Sequence, residues 1–168
     1  MQESTQRFSF AVITLSDKGA RGEREDESGK LLQDLLKAAG YELRAYKIIP
    51  DSIPEIVGTV RDLIDNKQID LIVTTGGTGV APTDVTPEAM QEILEKDIPG
   101  MAEAMRAASL KKTPHAVLSR ARVGIRRESL VINLPGSKKA AQENIEALLK
   151  ALPHALEKIK GDTGDCGK

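Results

Sequence analysis

Two aspartates and a run of glycines carry the chemistry open to this sequence. Asp70-Leu71-Ile72-Val73-Thr74-Thr75 is a short apolar run that ends in Gly76-Gly77-Thr78-Gly79, and Asp84 follows just before Thr86-Pro87-Glu88. Thr86 suits a helix cap, Pro87 the first helical position and Glu88 the first turn. A strand, a glycine loop and a helix start make an anion site, because glycine lets backbone approach a ligand and helix-start N–H groups favour negative charge. Asp84 would repel a phosphate there unless a cation stood between them, and Mg²⁺ is the cation that joins one or two carboxylates to phosphate oxygens. The same residues also suit a plain βα turn: the run fits neither G-x-G-x-x-G nor G-x-x-x-x-G-K-[ST]. Asp51, in Pro50-Asp51-Ser52, sits at a strand end, where spacing alone makes it a turn residue.

The elements that must position these groups follow from the hydrophobic pattern. Apolar runs predict strands over 8–15, 41–49, 69–75 and 129–134. Leu31, Leu32, Leu35, Leu36 and Ala39 recur at helical spacing after Ser28, which suits a cap, and Gly40 ends that helix. Ser52-Ile53-Pro54-Glu55 has capping-box form. Met90, Ile93 and Leu94 follow Thr86, Met101, Met105 and Ala108 follow Pro99-Gly100, and Ala141, Ile145, Leu148, Leu149 and Leu152 stripe a long helix. Pro153 either kinks that helix or starts another. Ser16 to Glu27 reads as a loop, Val117-Leu118-Ser119 as a short strand, and 120–127 as a basic stretch. Strands alternating with helices predict a three-layer α/β fold, with a mostly parallel sheet flanked by helices on both faces, as in Rossmann-like proteins. Ligands of such sheets bind beyond the carboxyl ends of the strands. The four loops there hold Asp17 and Asp26, Asp51, Asp84, and Asn133 to Ser137, so these residues are expected to meet.

The 168 residues suit a single domain, expected over 8–162, with flexible ends at 1–7 and 163–168. Only 2% of residues are aromatic, so the core must be Leu, Ile, Val and Ala, which suits helices on a parallel sheet. A net charge of −1 gives no basic surface for nucleic acid. No apolar run approaches a membrane span, the N-terminus is no signal peptide, and the cytoplasm is the expected compartment. The one cysteine, Cys166, has no partner for an internal disulfide. His115 and His154 lack partners at metal-ligand spacing, so no transition-metal site is expected.

The segment from Asp70 through Asp84-Val85-Thr86-Pro87-Glu88-Ala89 resembles the signature of the molybdenum-cofactor biosynthesis family. That family includes the bacterial MogA and MoaB proteins and the G domain of gephyrin, and the resemblance spans about residues 8–162. Further matches are Ile49-Pro50-Asp51, Ser16-Asp17 with Asp26-Glu27-Ser28-Gly29, Leu118-Ser119-Arg120 with Gly124-Ile125-Arg126, and Asn133-Leu134-Pro135-Gly136. Thr83 stands where many relatives carry Arg or Lys, and Ser137 where they usually carry Asn or Gln.

The resemblance implies a molybdopterin adenylyltransferase that takes MgATP and molybdopterin and releases pyrophosphate. Asp51 and Asp84 are then the catalytic pair, holding Mg²⁺. Gly76, Gly77, Thr78 and Gly79 cradle phosphate. Ser16, Asp17, Ser119, Asn133, Pro135 and Gly136 shape the substrate pockets, and Arg120 clamps a phosphate. A homotrimer is implied, with a downstream metal-insertion enzyme as a possible partner. Two rivals share the glycine signature: a non-catalytic molybdopterin carrier, and a nucleotide pyrophosphatase-like hydrolase. A carrier of an anion gains nothing from two carboxylates beside it, and the Leu-Ser-Arg and Asn-Leu-Pro-Gly segments favour the transferase.

Overall fold

The computed structural model describes residues 7–164. Cys166, the first six residues of the expected N-terminal segment and the last four of the tail lie outside the described residues. The four expected strands form as β1 (Ser9–Leu15), β2 (Glu42–Ile49), β3 (Leu71–Thr75) and β6 (Ser129–Leu134). Two shorter strands precede β6: β4 (Lys96–Asp97) and β5 (Val123–Arg126). The sheet order is β2-β1-β3-β6-β5-β4. The first four strands run parallel, while β5 is antiparallel to β6 and β4 to β5. The chain leaves β1 toward one edge for β2 and toward the other for β3, so the switch point, where α/β sheets open a crevice, lies between β1 and β3.

Alternation along the strands feeds two cores. Phe10 and Val12 of β1, with Leu71, Val73, Leu130 and Ile132, meet α2 (Glu27–Ala38), α5 (Pro99–Leu110), α6 (Lys138–Leu148) and α7 (Leu152–Ile159) on one face. Ala11, Ile13, Ile72 and Val131 face the other way, toward α3 (Ile53–Arg61) and α4 (Thr86–Ile93). The three-layer α/β architecture is therefore the one the sequence predicts. Pro153 opens α7 as a separate helix, at the helix start, where its missing N–H costs nothing.

Several local expectations are corrected. Residues 117–119 form no strand: Pro114–Leu118 is a 3-10 turn, capped by Thr113. The basic stretch contains β5, whose hairpin to β6 turns at Arg127, in the left-handed region at φ 51°. Its arginines form ion pairs, Arg126 with Asp65 at 2.6 Å and Arg122 with Asp97 at 2.9 Å. The loop after β1 contains a short helix, α1 (Asp17–Ala20). Asp26, not Ser28, caps α2, accepting from the Gly29 N–H at 2.8 Å. Ser52 caps α3 in position only, with no side-chain bond, so the capping box does not close. Thr86 is the first residue of α4 rather than its cap, and its buried hydroxyl donates to the Gly76 carbonyl at 2.9 Å.

Replacing Thr86 by Val keeps the shape and leaves that buried carbonyl without its hydroxyl partner. The expected loss is about 1–3 kcal/mol, read as a fall in melting temperature of about 2–4 °C per kcal/mol, with unchanged helical circular dichroism.

Candidate functional site

The glycine loop is held so tightly that no side chain fits at its turn. Gly76 and Gly77 have φ of 106° and 66°, the region favouring glycine. A Cβ on Gly76 would stand 2.3 Å from the Leu15 carbonyl oxygen, and one on Gly77 2.4 Å from Thr86 Oγ1 and 3.0 Å from Asp51 Oδ1. The Gly76 N–H donates to the Leu134 carbonyl at 3.0 Å, and the Thr86 N–H to the Gly77 carbonyl at 3.1 Å. Thr75 Oγ1 donates to the Pro135 carbonyl at 2.7 Å, and Ser28 Oγ to the Gly136 carbonyl at 2.7 Å. The ends of β1, β3 and β6 and the starts of α2 and α4 are thereby tied into one rim.

The acids gather at that rim. Asp51 and Asp17 bond reciprocally: the Asp51 N–H donates to Asp17 Oδ1 at 2.9 Å, and the Asp17 N–H to Asp51 Oδ2 at 3.2 Å. Ser16 Oγ accepts from the Gly19 N–H at 3.0 Å and starts α1. Asp84 Oδ2 accepts from the Ala81 N–H at 2.9 Å and closes its own turn. Asp51 and Asp84 line one cavity of about 690 Å³, together with Ser16, Asp26, Gly76, Gly77 and Gly136, and with Arg24 and Lys138 as its cations. Burial pushes the Asp51 carboxyl above its ordinary range; the Asp17 N–H bond opposes this, and the charges of Asp17 and Asp84 add to the rise. A carboxylate held against burial and like charge is short of a cation. Among the described residues no group of three or more His, Cys, Asp or Glu forms a closed metal cage. Two hard oxygen donors opening onto a polyanion pocket nevertheless fit Mg²⁺, which keeps several waters and completes its shell with substrate phosphate.

A second lobe of about 420 Å³ lies across the glycine loop and shares Gly77, Asp84, Gly136 and Ser137 with the first. Thr78, Gly79, Ser119 and Pro135 line it, with Ala116, Leu118 and Ala140 as apolar walls. The four loops beyond the parallel strands therefore meet, and most of the expected site residues line one lobe or the other.

Three residues sit differently from their expected roles. Asn133 is fully buried beneath the site. Its amide donates to Thr74 Oγ1 at 3.1 Å and accepts from the Arg122 N–H at 3.3 Å, so it ties β6 to β3 and to the approach to β5 instead of facing a ligand. Asp17 lines neither lobe and acts through Asp51. Arg120 grips the protein rather than open space. Its Nε donates to the Gly79 carbonyl at 2.8 Å and one terminal nitrogen to the Asp84 carbonyl at 2.8 Å, while the guanidinium pairs with Glu88, whose carboxyl it holds below the usual range. Arg120 thus pins the two ends of the loop that carries Asp84.

Neither Lys138 nor Arg106 is singled out by the sequence pattern, and Asp26 is marked by its loop and by the family match but given no role. Arg106 lines the second lobe and donates to the Ala121 carbonyl at 3.1 Å. Asp26 accepts from Thr14 Oγ1 at 2.5 Å and from the Tyr46 hydroxyl, whose ionisation burial and that bond push upward. The available signal was positional: each lies within a turn of a helix start or on the rim side of α5.

The family described as a probable molybdopterin binding domain matches residues 11–154. The chain is 42% identical over 161 residues to the molybdopterin adenylyltransferase of Helicobacter pylori strain 26695, covering 94% of this chain and 90% of that one. It is 36% identical over 152 residues to the molybdenum cofactor biosynthesis bifunctional protein of Chlorobaculum tepidum, covering 90% of this chain and 48% of that one. The solved structure of the molybdopterin biosynthesis enzyme MoaB from Thermus thermophilus superposes with a TM-score of 0.87 at 46% identity, covering 92% of this chain and 98% of that one.

Because the folded protein raises the Asp51 pKa, Asp51 favours the fold most when protonated, and stability is lost as pH rises from the ordinary carboxyl range through the folded value. Asp51→Asn keeps an oxygen for the Asp17 N–H and removes the charge. It is expected to melt higher than the parent at pH 7, with the difference shrinking as pH falls to about 4. Calorimetry across pH on both proteins checks this.

Proposed function

This chain belongs to the molybdopterin-binding family of molybdenum cofactor biosynthesis, and on that premise we propose that it transfers AMP from MgATP to the terminal phosphate of molybdopterin. It is an enzyme of the nucleotidyltransferase type and acts in molybdenum cofactor biosynthesis. The observation that carries the finer reading is the placement of Asp51 and Asp84 on one cavity against bare glycine backbone, with a second lobe sharing that wall. Two polyanionic substrates need two seats and a common boundary where their phosphates meet.

In this reading the phosphates of ATP lie in the acidic lobe, where Arg24 and Lys138 face them. The Gly76–Gly79 backbone takes the α-phosphate at the shared wall. An oxygen of the molybdopterin phosphate attacks the α-phosphorus. The bond from that phosphorus to the oxygen bridging to the β-phosphate breaks, and pyrophosphate leaves with the electron pair. The attacking phosphate is already ionised near neutral pH, so no general base is required. Asp51 and Asp84 would hold Mg²⁺, which would supply charge neutralisation for the leaving pyrophosphate. The protein's own share is positioning and electrostatics, as phosphoryl chemistry demands. Asp17 aims Asp51, Arg120 fixes the Asp84 loop, and Asn133 supports the floor.

The wider proposal keeps a homotrimer in the cytoplasm and a later metal-insertion enzyme as partner. The chain's 48% coverage of a bifunctional relative supports a neighbouring activity in the same pathway. Among the described residues no helix is long and apolar enough to cross a membrane.

Pyrophosphate release from MgATP is expected only when molybdopterin is added. Release without it would point to a hydrolase, and none with it to a carrier. Asp84→Asn is expected to lower turnover by about two orders of magnitude or more while molybdopterin still binds; equal turnover in that variant would remove its metal role.

A further inference from the structure

Five consecutive residues, Arg24 to Ser28, line the acidic lobe, and none of them lines the second lobe. The carboxylate at the middle of this wall is what anchors it. Asp26 Oδ1 accepts from the Gly29 N–H at 2.8 Å, while Oδ2 accepts from Thr14 Oγ1 at 2.5 Å and from the Tyr46 hydroxyl. The carboxylate sits in a niche that a side chain on Gly29 would fill: a Cβ there would stand 2.0 Å from Asp26 Oδ2 and 2.6 Å from Thr14 Oγ1. Asp26 thus joins the start of α2 to β1 and β2. The wall's ion pair, Glu25 with Lys30 at 2.7 Å, is exposed and contributes little.

Tyr46 is the member of this joint that packing alone does not explain. It stands on β2, an edge strand, and is 36% exposed, so water could serve its hydroxyl. The hydroxyl is instead committed to Asp26. Burial and that bond push its ionisation upward, which keeps it a donor. We propose that the Tyr46 hydroxyl is a positioning group for the nucleotide, fixing Asp26 and through it the 24–28 wall in the shape that receives the phosphates of MgATP. This deepens the adenylyltransferase reading and rests on its seating of the nucleotide in the acidic lobe. Two effects follow from the geometry. Charge-assisted bonds from three protein donors hold the Asp26 carboxylate in place, so that it does not swing toward the phosphates and add to their repulsion. The same anchor fixes the backbone two residues from Arg24, one of the lobe's cations, before the substrate arrives.

The test uses Tyr46→Phe, which removes one oxygen and keeps the ring. MgATP affinity is read by calorimetry in the absence of molybdopterin, and the KM of each substrate from pyrophosphate release. The variant is expected to lose about three- to tenfold in MgATP affinity, the size of one hydrogen bond. The KM for MgATP is expected to rise to match, with kcat and the KM for molybdopterin unchanged. Asp26→Asn keeps an oxygen for the Gly29 N–H and removes the charge that the hydroxyl holds. In that background Tyr46→Phe is expected to cost nothing further, because the two side chains act as one unit. A lower melting temperature with unchanged MgATP affinity, an equal loss for both substrates, or additive losses in the double variant overturns the assignment while leaving the adenylyltransferase reading intact. A parent that binds no MgATP overturns both.

Discussion

The rest of the site depends on one steric fact: at Gly76 and Gly77 the backbone passes where no Cβ can go. The turn presses on the Leu15 carbonyl from one side and on Thr86 Oγ1 and Asp51 Oδ1 from the other. That closeness draws the ends of β1, β2 and β3 and the start of α4 to a single point. Strand order makes it possible, because the chain diverges from β1 toward β2 and β3 and leaves a crevice between their loops. Any residue with a side chain at that turn would push Asp51 and α4 away from each other.

Charge is the second constraint, and it opposes the first. Crowding the loops brings Asp17, Asp51 and Asp84 together with Asp51 half-buried, so the ionised site is less favourable than the same fold without it. The fold absorbs this through neutral scaffolding. Thr86, Thr75 and Ser28 tie backbone carbonyls across the rim, and Asn133 ties β6 to β3 and to Arg122 just before β5. Arg120 contributes differently, clasping both ends of the Asp84 loop while Glu88 balances its charge. Asp51 and Asp84 open onto the acidic cavity, where in the proposed reaction a cation shared with phosphate has most effect.

The long strands were legible because β1, β3 and β6 are continuous apolar runs, buried on both faces. β4 and β5 are not legible: they are short, and Arg126 of β5 pairs with Asp65, far away in sequence. Asp26 outcompetes Ser28 as the cap of α2 because both types suit it and Asp26 reaches the Gly29 N–H, whereas at α4 the Thr86 hydroxyl is drawn to the Gly76 carbonyl and Val85 takes the cap position. The convergence of the loops follows from topology, which predicts that Asp51 and Asp84 meet, and both line one cavity. Asn133 and Arg120 show the limit. Their types suit ligand contact, but burial in one case and a salt bridge in the other turn them inward, and neither property is written locally in the chain.

In the proposed reaction Asp51 and Asp84 jointly hold the cation that joins them to nucleotide phosphate. A crystal structure with Mg²⁺ and a non-hydrolysable ATP analogue tests it directly. The expected result is a cation about 2.1 Å from an oxygen of each aspartate and from a phosphate oxygen. A cation held by phosphates and water alone, with both carboxylates turned away, would contradict it.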